Sequence, residues 1–253
     1  MTLRRIISHD ELVEASGHSA FIRYDVPSPL TETAYAVDGA VALPRLTHVR
    51  RRVLLVMGPP EPVSELIHEV VSHGVQADLT AVTVARRSLE AVAAHLPLTD
   101  GNDWEWMCTH APPPVVAAEG SLVTLSVEDR DDIGELLQLG NPGTDARAFE
   151  EPDQHWVGAR DDNGRLVACG VREPAVSGWP ILSGITVHPD HRGTGLGLAV
   201  TAHLTRAGVA ERGVCQLGMY SQNSVARRTY LGLGYGDVHE WSSRRLARAG
   251  TPA

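Results

Sequence analysis

The segment 192–197 combines an arginine with three glycines in the order Arg-Gly-Thr-Gly-Leu-Gly. It follows a mostly apolar, β-branched run over 181–187, and Pro189 prevents that run from continuing as a central strand. Apolar residues then recur with a helical period from Leu196, and Gly213 is placed to end the helix. The sequence therefore predicts a strand, a glycine-rich turn and a helix N-terminus, whose free backbone N–H groups can bind an anion such as a pyrophosphate.

The turn has several possible interpretations. A tight turn without a ligand needs only the glycines. A Rossmann dinucleotide site fits poorly, because five residues (188–192) separate the strand from the first glycine and the spacing is G-x-G-x-G. The strand expected over 214–219 also lacks the carboxylate that would hold a ribose. A P-loop requires a lysine, and all 22 basic residues of the chain are arginines. The remaining interpretation is a site for the pyrophosphate of an acyl-CoA.

Two motifs support the acyl-CoA interpretation. The run V-x-P-x-x-R-G-x-G-x-G resembles the acetyl-CoA motif of the GNAT N-acetyltransferase superfamily, whose core [Q/R]-x-x-G-x-[G/A] is matched by Arg192, Gly195 and Gly197. A second signature of that superfamily, N-x-x-A-x-x-x-Y-x-x-x-G-[F/Y], is matched at Asn223, Ala226, Tyr230, Gly234 and Tyr235. The two motifs have the usual order and separation, which makes the resemblance much more specific than a glycine loop alone.

The resemblance implies a role for individual residues. The main chain of the central strand, at Ile185 and Val187, would pair with the pantetheine arm like an added strand. The pyrophosphate would bind the backbone amides of the turn, at Arg192, Gly193, Thr194, Gly195, Leu196 and Gly197. Asn223 would contact the pantetheine, although asparagine is also a preferred helix N-cap. Tyr230 would lie near the thioester sulfur as the general acid, unless it is simply a buried aromatic of its helix.

The resemblance also implies direct transfer in a ternary complex without an acyl-enzyme. The sequence does not identify the general base. Many relatives carry a glutamate on the central strand, where this sequence has only Ser183 and Thr186. Glu173, at the end of the preceding strand, and His188 are the two candidates, and the amine could instead lose its proton to solvent.

Composition excludes several classes of protein. The chain has 253 residues, 43% of them hydrophobic, and a formal net charge of −9, which argues against a nucleic-acid-binding surface. No signal-peptide pattern and no long apolar stretch are present, so we expect a cytoplasmic enzyme without membrane association. The 3 cysteines lack C-x-x-C spacing and the 12 histidines are scattered, so the sequence predicts buried free thiols and no metal site.

The remaining patterns predict an α/β (α+β) fold in two parts. Three consecutive prolines at 112–114 form a stiff spacer, which places the boundary between domains 1–115 and 116–253. The second part has the element order βα–βββ–α–β–α–β, with a hairpin turn at Asp162-Asn163-Gly164, and matches the GNAT-type mixed central sheet flanked by helices. The first part reads as an additional N-terminal α/β portion that could be a degenerate GNAT-like domain. In it, 20–24 reads as a strand and Asp38-Gly39 as a hairpin turn.

These observations favour an acetyl-CoA-dependent N-acyltransferase, with acetyl-CoA as the acyl donor and a primary amine of a small molecule or peptide as the acceptor. The alternative is a non-catalytic acyl-CoA-binding or sensor protein on the same fold. The division into a degenerate first part and a catalytic second part is similar to the glycine N-acyltransferase-like branch of the superfamily. A homodimer is compatible with the sequence.

Overall fold

The computed structural model describes residues 3–47, 51–75 and 78–247. Its strands are β1 (Arg4–Ile6), β2 (Ala34–Val37), β3 (Ala40–Leu46), β4 (Arg52–Met57), β5 (Ala81–Ala85), β6 (Leu98–Thr109), β7 (Leu122–Thr124), β8 (His155–Arg160), β9 (Leu166–Pro174), β10 (Pro180–Val187), β11 (Cys215–Tyr220) and β12 (Gly236–Leu246). Its α-helices are α1 (His9–Ala15), α2 (Ala20–Asp25), α3 (Pro60–Ser72), α4 (Leu89–Ala93), α5 (Arg130–Gly140), α6 (Leu196–Arg212) and α7 (Ser224–Gly232). None of the described helices is both long and apolar enough to cross a bilayer.

The chain forms two compact units. The first holds the described residues of Met1–Trp106, Met219–Gln222 and Val238–Ala253, and the second holds Met107–Gly218 and Asn223–Asp237. This division differs from the predicted domains 1–115 and 116–253, because strand β12 pairs antiparallel with β5 of the first unit. A fragment that begins at residue 116 would therefore leave β12 without this neighbour.

The first unit is built on a mixed sheet in which β1, β2, β3, β4, β5 and β12 follow one another. Strands β4 and β5 are parallel, and the other neighbours named are antiparallel. The hairpin predicted at Asp38-Gly39 is confirmed: both residues have positive φ, as a two-residue turn between β2 and β3 requires. Helix α3 buries Val63, Leu66, Ile67 and Val70 in the core of this unit.

The strand predicted over 20–24 is wrong, because this segment forms helix α2. The Ser19 hydroxyl accepts a hydrogen bond from the Ile22 backbone N–H at 3.3 Å and so satisfies one of the donors that a helix start leaves open. Pro27 follows the helix and favours its early end. A short apolar run does not distinguish a strand from a buried helical turn by its periodicity, and here the cap determines the outcome.

The second unit has the strand order β11-β10-β9-β8-β7, with β10 and β11 parallel and the rest antiparallel. A Cβ atom on Gly170 of β9 would meet Val200 and Leu204 of α6 within 3.4 Å. The neighbouring residues Cys169 and Val171 instead share a core cluster with Ile133, Leu136 and Leu137 of α5. Successive side chains of a strand point to opposite faces, so α6 and α5 cover opposite faces of this sheet.

Strand β10 carries a β-bulge. Ser183 pairs with Val171 and Thr186 pairs with Cys169, which leaves one extra residue on β10 between the two pairs. Gly184 lies in the bulge with φ +62°, and a Cβ atom there would approach the Trp156 ring to 3.1 Å. Glycine meets both requirements, and the bulge redirects the end of β10 immediately before the glycine-rich turn.

Candidate active site

The glycine-rich turn forms the predicted link between β10 and α6. A short 3₁₀ turn over Pro189–His191 follows the strand, and α6 begins at Leu196. Gly193 and Gly195 have φ of +79° and +87°, in the left-handed region that other residues avoid. Such a backbone, followed at once by a helix N-terminus, turns successive N–H groups toward a common point, as anion-binding sites do. The strand–turn–helix arrangement predicted from the sequence is confirmed.

Two side chains of the turn hold its conformation by donating hydrogen bonds to nearby backbone carbonyls. The Arg192 guanidinium donates from Nη2 to the Gly140 carbonyl at the C-terminus of α5, at 3.1 Å. The Thr194 hydroxyl donates to the His191 carbonyl at 2.6 Å. Arg192 thus ties the turn to α5 with its side chain. Contact of the turn's amides with a pyrophosphate stays a prediction.

The edge of β10 that faces β11 opens before the strand ends. Within the described residues, the parallel ladder with β11 ends at the pair Leu182↔Leu217, although β10 continues to Val187. The His188 N–H donates to the Val167 carbonyl of β9 at 2.8 Å. Main-chain groups of successive strand residues point to opposite edges, so those of Val187 point away from β9. An extended chain can add to this edge.

The side chains of Ile185 and Val187 join the strand to α6. Ile185 follows the bulge, and its Cδ1 would meet a Cβ atom on Gly170 at 2.5 Å, on the α6 face of the sheet. Val187 Cγ2 lies 3.4 Å from the position of a Cβ atom on Gly197 in the first turn of α6. Val187 therefore packs against the end of the turn, whereas Ile185 packs on the α6 face of the sheet. Their predicted pairing with a pantetheine arm concerns the main chain only.

Asn223 is the N-cap of α7. Its side-chain oxygen accepts a hydrogen bond from the Ala226 backbone N–H at 3.1 Å, and the residue is exposed. The N-cap interpretation of Asn223 is confirmed. The role implied by the family motif, a contact to the pantetheine, stays a prediction; the amide nitrogen and the second lone pair of the oxygen are available for it.

Tyr230 lies two turns further along α7 with its side chain 8% exposed. Burial raises its pKa to about 12, so the hydroxyl keeps its proton at neutral pH. No hydrogen bond joins the Tyr230 hydroxyl to another group in the described part of the chain. Tyr235 differs: its ring centroid is 6.0 Å from that of Tyr230, and its hydroxyl shares a 2.8 Å hydrogen bond with the Thr205 hydroxyl. Tyr230 is thus a buried aromatic whose hydroxyl makes no hydrogen bond to the described residues.

Glu173 is held at the point where β10 and β11 separate. The Ser183 hydroxyl donates to Glu173 Oε1 at 2.5 Å, and the Gln154 amide donates to Oε2 at 2.6 Å. Trp156 Nε1 in turn donates to Gln154 Oε1 at 3.1 Å. Ser183 directly follows Leu182, the last β10 residue paired with β11. The carboxylate is therefore fixed at both oxygens and bound to the first β10 residue beyond the ladder with β11.

Sequence reasoning missed Gln154 as a member of this group. The hairpin turn at 162–164 joins β8 and β9, and their register shifts by one residue between Ala159 and Arg160. Beyond this shift His155 pairs with Arg172, which brings Gln154 opposite Glu173. Counting outward from the turn without the shift would bring Gln154 opposite Arg172, so the turn residues alone do not reveal this contact.

His188 is less suited than Glu173 to accept a proton from an amine. Its ring is buried, and Nδ1 accepts the Asp190 backbone N–H at 3.2 Å, which shapes the 3₁₀ turn. It follows Val187 at the C-terminal end of β10, whereas the Ile181↔Glu173 pair lies near the N-terminal end of that strand. Of the two candidates from the sequence, the geometry favours Glu173.

The three cysteines are free and buried, as predicted. Burial raises the pKa of each thiol to about 12: Cys108, Cys169 and Cys215. A thiol with such a pKa is not ionised at neutral pH and is a poor nucleophile. This agrees with transfer that needs no acyl-cysteine intermediate.

The predicted site residues fall into two groups. Val187, the turn 192–197 and the C-terminus of α5 are in mutual contact, as described above. Asn223 and Tyr230 form the second group. Within the described residues, their hydrogen bonds and ring contacts are to α7 and to the loop that follows it. Their position beside a bound acyl-CoA stays a prediction.

Comparison with known proteins supports this description. Residues 124–235 match the profile of the Acetyltransferase (GNAT) family. None of the curated proteins matches the chain. The match includes β10, the glycine-rich turn, α6 and α7, and thus every site residue discussed above.

Solved structures share the fold. A GCN5-related N-acetyltransferase from Sphaerobacter thermophilus has a TM-score of 0.58 and 18% identity, over 100% of this chain and 97% of that chain. A GNAT-family protein from Novosphingobium aromaticivorans has a TM-score of 0.53 and 21% identity, over 94% of this chain and 96% of that chain. A GCN5-related N-acetyltransferase from Kribbella flavida has a TM-score of 0.52 and 16% identity, over 97% of this chain and 98% of that chain. The predicted α/β fold with a mixed sheet flanked by helices is confirmed, and residues 124–235 form a GNAT acetyltransferase domain.

Proposed function

We propose that the second unit binds acetyl-CoA and transfers its acetyl group directly to a primary amine of a small molecule or peptide. One observation carries the proposal: the ladder between β10 and β11 ends at Leu182↔Leu217, and the freed edge of β10 leads directly into the glycine-rich turn. An open strand edge suits the amide groups of a pantetheine arm, and the turn suits the pyrophosphate at its end. The two features follow each other along the chain in the order in which these groups follow each other in CoA.

Acetyl-CoA would be held mainly by main-chain groups. Val187 supplies a strand N–H and carbonyl for the pantetheine amides, and residues 192–197 supply N–H groups for the phosphates. The guanidinium of Arg192 is already bound to Gly140, and that of Arg206 is bound to Glu119 and to backbone carbonyls. The backbone dipoles of the turn and the N-terminus of α6 attract the phosphates, and the charge of Arg192 in the turn adds to this attraction.

In the reaction, the lone pair of a neutral amine forms a C–N bond with the thioester carbonyl carbon. The C–S bond then breaks, the amine nitrogen loses one proton, and the departing CoA sulfur gains one. The protein offers one candidate group for each proton. Glu173 would accept the proton from the amine, directly or through water, and Tyr230 would donate one to the sulfur.

Tyr230 suits the role of acid because its hydroxyl is protonated at neutral pH and engaged by no described protein group. Glu173 suits the role of base because Ser183 and Gln154 fix both of its carboxylate oxygens. The family motif supports the role of Tyr230, and the hydrogen bonds of Glu173 to Ser183 and Gln154 support its role as the base.

The test is turnover by the whole chain. Purified protein is mixed with acetyl-CoA and a panel of primary amines, and free CoA thiol and acetylated amine are both measured. The proposal expects equal amounts of the two products with at least one amine. Binding of acetyl-CoA without turnover on a broad panel would instead favour the non-catalytic sensor, and absence of acetyl-CoA binding would exclude both functions.

A further inference from the structure

A cysteine, a histidine and an aspartate from distant parts of the sequence meet in the second unit. Cys108 lies near the end of β6, His110 follows that strand, and Asp237 lies in β12. Within this group, one ligand atom of each residue lies within 4.8 Å of the others, and Cys108 Sγ is 3.7 Å from Asp237 Oδ2. These three residues have no part in the acetyl-transfer site described above.

The spacing of the donor atoms is that of a tetrahedral metal site. Zinc binds cysteine sulfur at about 2.3 Å and carboxylate oxygen at about 2.0 Å, so the two atoms stand about 3.5 Å apart around a tetrahedral ion. The separation between Cys108 and Asp237 is close to that value. One thiolate, one imidazole and one carboxylate form a donor set of borderline softness, which suits Zn²⁺ better than Mg²⁺ or Ca²⁺.

A second contact prepares His110 to bind a metal. Its Nδ1 lies 3.0 Å from the Gly213 carbonyl at the C-terminus of α6. A carbonyl can only accept, so Nδ1 carries the proton and Nε2 carries the lone pair that a metal needs. Histidine ligands of zinc commonly donate their other N–H to a carbonyl in this way. The C-terminal end of α6 also has a negative partial charge, which favours a cation nearby.

The aspartate already contacts the thiol. Asp237 has φ +47°, a left-handed conformation that aspartate tolerates better than most residues. Without an ion, the Cys108 thiol donates a hydrogen bond to the Asp237 carboxylate, and a bound cation would take the place of that proton. Cys108 is buried whereas His110 and Asp237 are exposed, so an ion can reach the site from solvent and keep water as a fourth ligand.

We propose that Cys108, His110 and Asp237 bind one Zn²⁺ ion, with water as the fourth ligand. Cys108 binds as the thiolate and its proton passes to the solvent. The ion joins the end of β6 to the start of β12 and, through His110, to the end of α6. The sequence concealed this site because only a C-x-H pair is local, and the third ligand follows 127 residues after His110.

The test uses the full chain after treatment with a chelator. Zn²⁺ is titrated with a chromophoric competitor and Co²⁺ is titrated by absorption, which reports both a thiolate bond and tetrahedral geometry. The wild type should bind one equivalent of each ion, show the thiolate-to-cobalt charge-transfer band, and melt at a higher temperature with Zn²⁺. Asp237→Asn and His110→Gln should each lower the zinc affinity at least about tenfold, since even indirect contacts to a ligand have effects of that size.

The variants are chosen to keep the fold. Asparagine tolerates the left-handed backbone at position 237, and position 110 is exposed, so both proteins should fold without metal. Cys108→Ser should abolish the charge-transfer band, and the two exposed variants keep the test informative if this one is unstable. His155→Gln, at an exposed histidine outside the group, is the matched control and should bind like the wild type. A wild type without the cobalt band, or zinc binding that is equal in all variants, would overturn the proposal.

Discussion

The two neighbouring tyrosines allow catalysis and stability to be separated. Tyr230 and Tyr235 are both buried, and their ring centroids are 6.0 Å apart. Tyr230→Phe removes a hydroxyl that makes no hydrogen bond to the described residues, so the free energy of unfolding should hardly change. Tyr235→Phe removes the hydrogen bond to Thr205 and a contact to the Cys215 sulfur, which should lower that free energy by about 0.5–1.5 kcal/mol.

The reaction rate should respond in the opposite way, with the larger effect in Tyr230→Phe and the smaller one in Tyr235→Phe. Loss of a general acid costs about 10²–10⁴-fold, equivalent to about 3–5 kcal/mol of activation free energy. Tyr230→Phe should show this loss in kcat, because a proton given to the departing sulfur acts mainly in the transition state. Tyr235→Phe should retain the wild-type kcat at a temperature where it is folded.

The assay pairs guanidinium denaturation with release of CoA thiol under saturating acetyl-CoA and amine. An acyl donor with a more acidic thiol should narrow the gap between Tyr230→Phe and the wild type, since a better leaving group needs less protonation. Wild-type turnover by Tyr230→Phe, with chemistry rate-limiting, would show that Tyr230 is a packing residue only. A large loss of kcat in both variants would show that the assay reports the local packing of the two rings.

Two further predictions concern the base and the response to pH. Glu173→Gln should lower kcat/KM about 10²–10⁴-fold at neutral pH. The loss should be smaller at alkaline pH, where the amine is already neutral. Ser183→Ala retains the carboxylate and should have a much smaller effect, so equal rates in both variants would exclude Glu173 as the base. Burial raises the pKa of Tyr230 from 10.0 and of the three cysteines from 9.0, in each case to about 12. A raised native pKa stabilises the fold below the unfolded pKa, and this contribution is lost as the pH rises through the native value. The free energy of unfolding should therefore fall between about pH 9 and pH 12, and a constant value across that range in guanidinium titrations would contradict the burial of these groups.

The parts of the fold that the sequence predicted are those with a local physical cause. The turn 192–197 and the end of α6 at Gly213 follow from glycines at positive φ. The hairpins at Asp38-Gly39 and 162–164 follow from turn residues. In each case a few adjacent residues determine the backbone, so one sequence is enough to identify the element.

The parts that could not be predicted depend on pairing between distant segments. Strand β12 was correctly predicted as a strand, but its pairing with β5 brings together residues about 160 positions apart, such as Thr83 and Ser243. The group Cys108, His110 and Asp237 depends on the same kind of long-range pairing. The contact between Gln154 and Glu173 was also missed, because it depends on a register shift between Ala159 and Arg160 that the turn residues do not reveal.

The central claim, that the turn 192–197 binds acetyl-CoA through its backbone, is tested most directly by calorimetric titration of two alanine variants at opposite ends of α6. Gly195 and Gly213 have φ of +87° and +77°, so alanine at either position should cost a similar free energy of about 1–2 kcal/mol. Among the described residues, a Cβ atom at Gly195 would meet only Ala118 Cβ, at 3.8 Å, so it fits the protein but would stand against a ligand at the turn. The account predicts that the wild type and Gly213→Ala bind acetyl-CoA alike and that Gly195→Ala binds about tenfold or more weakly, the size expected for a weakened charge-assisted hydrogen bond. Equal affinities in all three proteins, or no binding by the wild type, would contradict it.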